Sequence, residues 1–101
     1  MMSIENIYVF PQDLAEAIAR QAKARRLGLN LSRQTLAEKA GVPAPTLCKF
    51  ERTGQASLLT VLKIADGLGG LAHITPQSLF PDLPPLDIEH FVAPARKRGR
   101  R

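Results

Sequence analysis

LSRQTLAEKAGVPAPTLCKFERTG, residues 31–54, decides how this chain folds. Ser32 is a good N-cap because its hydroxyl can accept from an amide that the first helical turn leaves without a partner. The segment after it carries Leu36, Ala37 and Ala40 on one face and stops at Gly41. A tight turn leads to a second helix beginning near Pro43. Pro45 is tolerated in its first turn, where the amide protons have no intrahelical acceptor. Leu47 and Phe50 point inward and Gly54 ends the helix. Leu36, Ala37, Ala40, Val42 and Leu47 are then expected to lock the two helices at a steep angle. Small Ala37 and Gly41 sit where they nearly touch, and the outer face of the second helix is left free.

Outward from this pair the pattern stays helical. Leu14, Ile18 and Ala22 recur every four residues, predicting a helix from Pro11 to about Leu27 with Gly28 and Asn30 as its stop. Ser57 predicts the cap of a further helix facing inward with Leu58, Val61, Ile64, Ala65 and Leu68. Thr75 and Pro76 predict a cap and first position for a last turn, Gln77 to Phe80. The β-branched and aromatic run IENIYVF, residues 4–10, suggests a short N-terminal strand or clamp. Pro81, Pro84, Pro85 and Pro94 break regular structure, so 81–101 reads as a linker and disordered basic tail. The expectation is all-α: a bundle of about five helices in one domain, residues 1–80, then the tail.

Composition agrees. A chain of 101 residues allows one small domain. With 45% hydrophobic residues but only 5% aromatic and no Trp, the core must come from Leu, Ile, Val and Ala, which suits helices better than a β-sandwich. A single cysteine, Cys48, makes no internal disulfide, and no leader-like start or membrane-length apolar run is present. A cytoplasmic protein without membrane attachment is therefore expected. The net charge of +5 is uneven. Residues 20–52 carry eight bases against two acids, and the last six residues, RKRGRR, add five bases. Two such zones suit a protein that grips a polyanion.

The arrangement of residues 31–54 is that of a helix-turn-helix, whose second helix can enter a DNA major groove about 12 Å wide. The run resembles the Cro/cI-type (XRE) family, with the lambda repressor-like fold. The wider span, with MMSIENIY, SLLTVLKIADGLG and the TLCKFE end of the second helix, looks like HipB-type antitoxins. The resemblance implies a homodimer that binds operator palindromes in double-stranded DNA, represses its own operon and associates with a HipA-like serine/threonine kinase toxin. It places Ser32 and Arg33 at the N-cap and at the phosphate- or base-contacting position, where the family usually has Gln. Gln34, Ala44, Pro45, Thr46, Lys49 and Arg52 complete the expected DNA-binding set. Pro43, Ala44 and Pro45 stand where polar base readers are common; alanine and proline can touch a thymine methyl but donate no hydrogen bond. Lys49 and Arg33 should therefore dominate, with DNA shape assisting selectivity. Arg26 and Glu51 match the family's buried pair, against the alternative of separate surface charges.

Other residues read more plainly. Arg20, Lys23 and Arg25 suit a solvated helix face, with phosphate contact as the alternative. His73 and His90 lack ligand spacing, Cys48 has no partner motif, and no GxxxxGK, DxD or GxSxG is present, so neither cofactor nor metal nor enzymatic activity is expected. Leu59, Leu62, Leu71, Ile74 and Phe80 form either an extended core or a dimer or partner surface. Two other functions fit the same chain. One is a stand-alone repressor without a toxin partner; the other is a protein-interaction module that keeps the helix-turn-helix as scaffold.

Overall fold

The computed structural model describes residues 10–82, and these are helical with no strand among them. Five α-helices follow one another: α1 (Pro11–Gly28), α2 (Arg33–Ala40), α3 (Ala44–Thr53), α4 (Leu58–Gly67) and α5 (Pro76–Leu79). A 3-10 turn at Leu71–His73 lies between the last two. The proposed N-terminal strand, save Phe10, and the tail beyond Asp82 lie outside the described residues.

The caps form where hydroxyls precede apolar runs. Ser32 Oγ accepts from the Thr35 amide at 3.0 Å. Ser57 Oγ accepts from the Thr60 amide at 3.1 Å. In α5 the Thr75 amide donates to Ser78 Oγ at 3.1 Å. Asn30 takes the left-handed conformation after α1, with φ 59°; its amide side chain makes that region less costly than for most residues. Gly28 itself closes α1.

The core gathers Leu36, Leu47, Phe50 and Ile64, all fully buried, with Ala19, Ala37, Val42 and Leu68 around them. α1 lies along α3, and α2 packs against both α3 and α4. Two glycines set close approaches. A Cβ at Gly54 would stand 2.8 Å from the backbone C and O of Ala15, and the residue has φ 79°, so nothing but glycine lets α3 end on α1. A Cβ at Gly67 would meet Leu36 Cδ1 at 3.0 Å and Ala40 Cβ at 3.2 Å, where α4 crosses α2.

Two expectations are corrected, for Leu58 and Gly41. On α1, Leu14 and Ile18 are 43% and 45% exposed, and the helix buries Ala19 and Arg26. Leu58 is exposed as the first residue of α4; Val61, Ile64 and Leu68 carry the contact. Gly41 is not at a close approach, since a Cβ there would meet nothing within 4 Å. Its reason is φ 75°, the left-handed stop of α2, whose amide closes on the Ala37 carbonyl at 2.9 Å.

Candidate nucleic-acid interface

α3 is amphipathic: Leu47, Phe50 and Glu51 are buried while Pro45, Lys49 and Arg52 are exposed. The exposed three are spaced by four and then three residues, which aligns them along one outer stripe. Thr46 beside the stripe is half-buried, and Ala44 packs partly against the core, so much of its methyl is spent inside. Pro43 is the N-cap, and neither it nor Pro45 has an amide proton to offer at the tip. The side chains that can donate to a groove from this helix are therefore Thr46, Lys49 and Arg52.

Next to α3 stands the start of α2. Ser32 and Gln34 are exposed, and Gln34 Nε2 donates to Glu38 Oε2 at 3.2 Å along the helix. The Ser32 cap uses the Thr35 amide, and the Leu36 amide bonds the Ser32 carbonyl at 3.0 Å. The amides of Arg33 and Gln34 thus remain at the positive end of the helix dipole, which favours an anion.

Behind both elements lies a charge cluster. Arg26 on α1 donates through Nε to Glu51 Oε2 at 2.7 Å and through Nη2 to Oε1 at 3.2 Å. Its Nη1 reaches the Leu31 carbonyl at 2.9 Å in the loop before α2. Both residues are buried, so one bidentate pair joins α1, the loop and the end of α3. Arg33 adds a second guanidinium: its Nε lies 2.9 Å from Glu51 Oε1. Burial alone would raise the Glu51 pKa, but hydrogen bonds and charge from Arg26 and Arg33 outweigh it and hold the carboxyl below the usual glutamate range.

Sequence reading missed the Arg33 to Glu51 bond, because eighteen residues separate the two and only the packing of α2 against α3 brings them together. It also missed Arg25, whose Nε donates to the Leu68 carbonyl at 2.7 Å and so ties α1 to the C-terminal end of α4. Arg20 and Lys23 are exposed on α1.

The apolar residues expected to face a partner divide. Leu59, Leu71, Ile74 and Phe80 are exposed, Phe80 at 80%, while Leu62 is half-buried. Ile74 lines an almost wholly apolar groove with Ile18, Val61 and Leu68, between α1, α4 and the segment after it. Among the described residues no group of three His, Cys, Asp or Glu could hold a metal ion. No described helix is long and apolar enough to cross a membrane.

No curated protein and no solved structure matches this chain. A family model described as helix-turn-helix matches residues 23–73, from the second half of α1 through the 3-10 turn, and so covers the capped α2, the glycine stop, α3 and α4. That match spans half the chain and coincides with the elements that carry the outward α3 stripe. The protein belongs to the Cro/cI-type (XRE) helix-turn-helix family of DNA-binding transcription regulators.

Proposed function

We propose that this regulator is the antitoxin and autorepressor of a toxin-antitoxin operon, acting as a homodimer on a palindromic operator and associating with a HipA-like kinase toxin. The DNA-binding half of the reading is carried by one observation: the stripe of Pro45, Lys49 and Arg52 on α3, with the capped start of α2 beside it. In this reading Lys49 reaches a base edge, Thr46 and Arg52 lie along the groove, and Ala44 and Pro45 offer apolar contact. Ser32, Arg33 and Gln34 meet the phosphate backbone. Two copies set their α3 helices about 34 Å apart on one duplex face. The uncovered Leu59, Leu71, Ile74 and Phe80 support a second protein surface, as a seam between copies or a seat for the kinase. The antitoxin role rests on the likeness of the segments MMSIENIY, TLCKFE and SLLTVLKIADGLG to HipB-type proteins.

Footprinting on the chain's own promoter, repeated with the Lys49→Ala variant, tests the DNA contact. A protected palindrome is expected, weakened by about 1–3 kcal/mol in the variant with the fold unchanged. Equal binding by parent and variant would place the base reader elsewhere. Co-purification with a kinase encoded beside this gene tests the antitoxin role. If operator repression persists and no kinase binds, the chain is a stand-alone repressor. Partner binding without any footprint would make it an interaction module instead.

A further inference from the structure

We propose that Glu51 is a positioning residue for DNA binding, holding Arg33 so that the outer edge of its guanidinium is presented to one backbone phosphate rather than to a base. The inference deepens the DNA-binding reading above and rests on it. Glu51 is buried, and its two oxygens are already served by Arg26. Arg33 nevertheless bonds the same carboxylate, and does so through Nε. A guanidinium has five N–H donors in one plane. With Nε committed inward, the Nη1 and Nη2 pair forms the free end of the fork, and the Arg33 side chain is 45% exposed. That end has the spacing that suits two oxygens of a phosphate.

The geometry also says why this arginine is a poor base reader. Arg33 is the first residue of α2, its side chain is drawn toward the end of α3, and its direction is set by a carboxylate that is itself fixed by a buried pair. To reach a base edge it would have to leave Glu51. Held in place, it loses little rotamer freedom on docking, which is the usual cost of using a long basic side chain. Lysine could not do the same. Its single ammonium must choose between Glu51 and a phosphate, whereas arginine can hold one with Nε and the other with Nη1 and Nη2.

Two measurements on the full chain test this without disturbing the Arg26–Glu51 pair. In the first, affinities for operator and for a random duplex are measured over a range of salt for the parent, Arg33→Gln and Arg33→Lys. A phosphate contact requires Arg33→Gln to flatten the slope of log affinity on log salt by about 0.9 on both duplexes, leaving the operator-to-random ratio unchanged. Positioning requires Arg33→Lys to behave as Arg33→Gln does, although it keeps the charge. An unchanged slope in Arg33→Gln, a collapsed operator-to-random ratio, or a lysine variant equal to the parent would each overturn the proposal. In the second, the Arg33 Nε–H resonance is followed by NMR. It should exchange slowly in the free protein and persist when a duplex is added; loss of that signal on DNA binding would mean the Glu51 bond breaks and would also overturn it. If Lys49→Ala weakens binding while the Arg33 variants do not, this proposal fails together with the Arg33 phosphate contact, and the rest of the DNA-binding reading stands. If the parent binds no duplex at all, the DNA-binding assignment falls and takes this one with it.

Discussion

The α2–α3 unit and the stretch from Leu71 to Asp82 stand on either side of α4 in the chain and obey opposite rules. In the first, Ala37, Val42 and Glu51 are buried, and Leu36, Leu47 and Phe50 are shut from solvent. The carboxylate that goes inside, Glu51, is met there by Arg26 from α1. In the second every residue is exposed, and Leu71, Ile74, Leu79 and Phe80 are among them. The closed unit hides its apolar side chains, whereas the open stretch leaves four large ones in solvent on a short length. The family match, residues 23–73, covers the whole of the closed unit and only the first residues of the open one.

The comparison breaks first at the core. Leu47→Ala removes a fully buried side chain between α3 and its neighbours and should cost about 2–5 kcal/mol, read as a lowered urea midpoint. Phe80→Ser on the open stretch should change that midpoint by no more than about 0.5 kcal/mol, because the ring is 80% exposed. Equal losses in the two variants would show that the stretch belongs to the core.

Assembly sharpens the contrast. Leu59→Glu, at a position 62% exposed on α4, should leave a folded chain and abolish the dimer, measured as mass by light scattering at micromolar concentration. A parent that is already monomeric, with and without DNA, would remove the homodimer from the proposal. Leu62, being half-buried, would confound fold with seam and is the poorer choice.

A third difference concerns acid. Glu51 in the closed unit titrates below its ordinary value because two guanidiniums outweigh the effect of burial. Its contribution to stability is therefore complete above the unfolded glutamate pKa of about 4.3 and is lost as the pH falls from there toward the folded value. Thermal melts between pH 6 and pH 3 should fall through that window, and Glu51→Gln, less stable at neutral pH, should show a shallower fall. Identical slopes in the two proteins would assign the acid sensitivity to other carboxylates.

The smallest expected effect is at the caps. Ser32→Ala should cost about 1 kcal/mol through the lost bond to the Thr35 amide. Ser78→Ala, in a four-residue helix of the open stretch, should cost less, because little of the fold depends on α5. Reversal of that order in thermal melts would show that the fold depends on α5 more than on the start of α2.

The same division marks what the sequence could convey. Local signals were readable: Ser32, Ser57 and Thr75 stand at the starts of their helices, and Gly41 and Gly54 stand at the ends of theirs. So was the bundle, since the helical period survives in every segment between these stops. Which apolar residues go inside was not legible where two faces were both apolar, and Leu58 was expected inward but is exposed. Leu14, Ile18 and Leu58 are larger and more hydrophobic than Ala19, yet the alanine is inside, because how closely α1 may approach α3 is fixed by Gly54 meeting the Ala15 backbone. No period along α1 contains that fact. The bond from Arg33 to Glu51 was equally out of reach, since neither residue's neighbours in sequence indicate the other. The DNA-contacting roles proposed for Ser32, Arg33, Gln34, Ala44, Pro45, Thr46, Lys49 and Arg52 come from the motif; the structure contributes the exposure of all but Ala44 and Thr46, which are half-buried.

Pro43 and Pro45 bear on the unfolded chain as well as on the folded one. Their rings fix two backbone torsions at the entrance to α3 before any tertiary contact forms, so the denatured ensemble has fewer states to surrender there, about 0.4–1 kcal/mol for each compatible proline. The same rings remove two amide donors from the N-terminal end of α3. A polar residue at position 45 would enlarge what α3 can recognise and loosen its first turn; this sequence holds the opposite balance, a stiff leading edge with a small vocabulary.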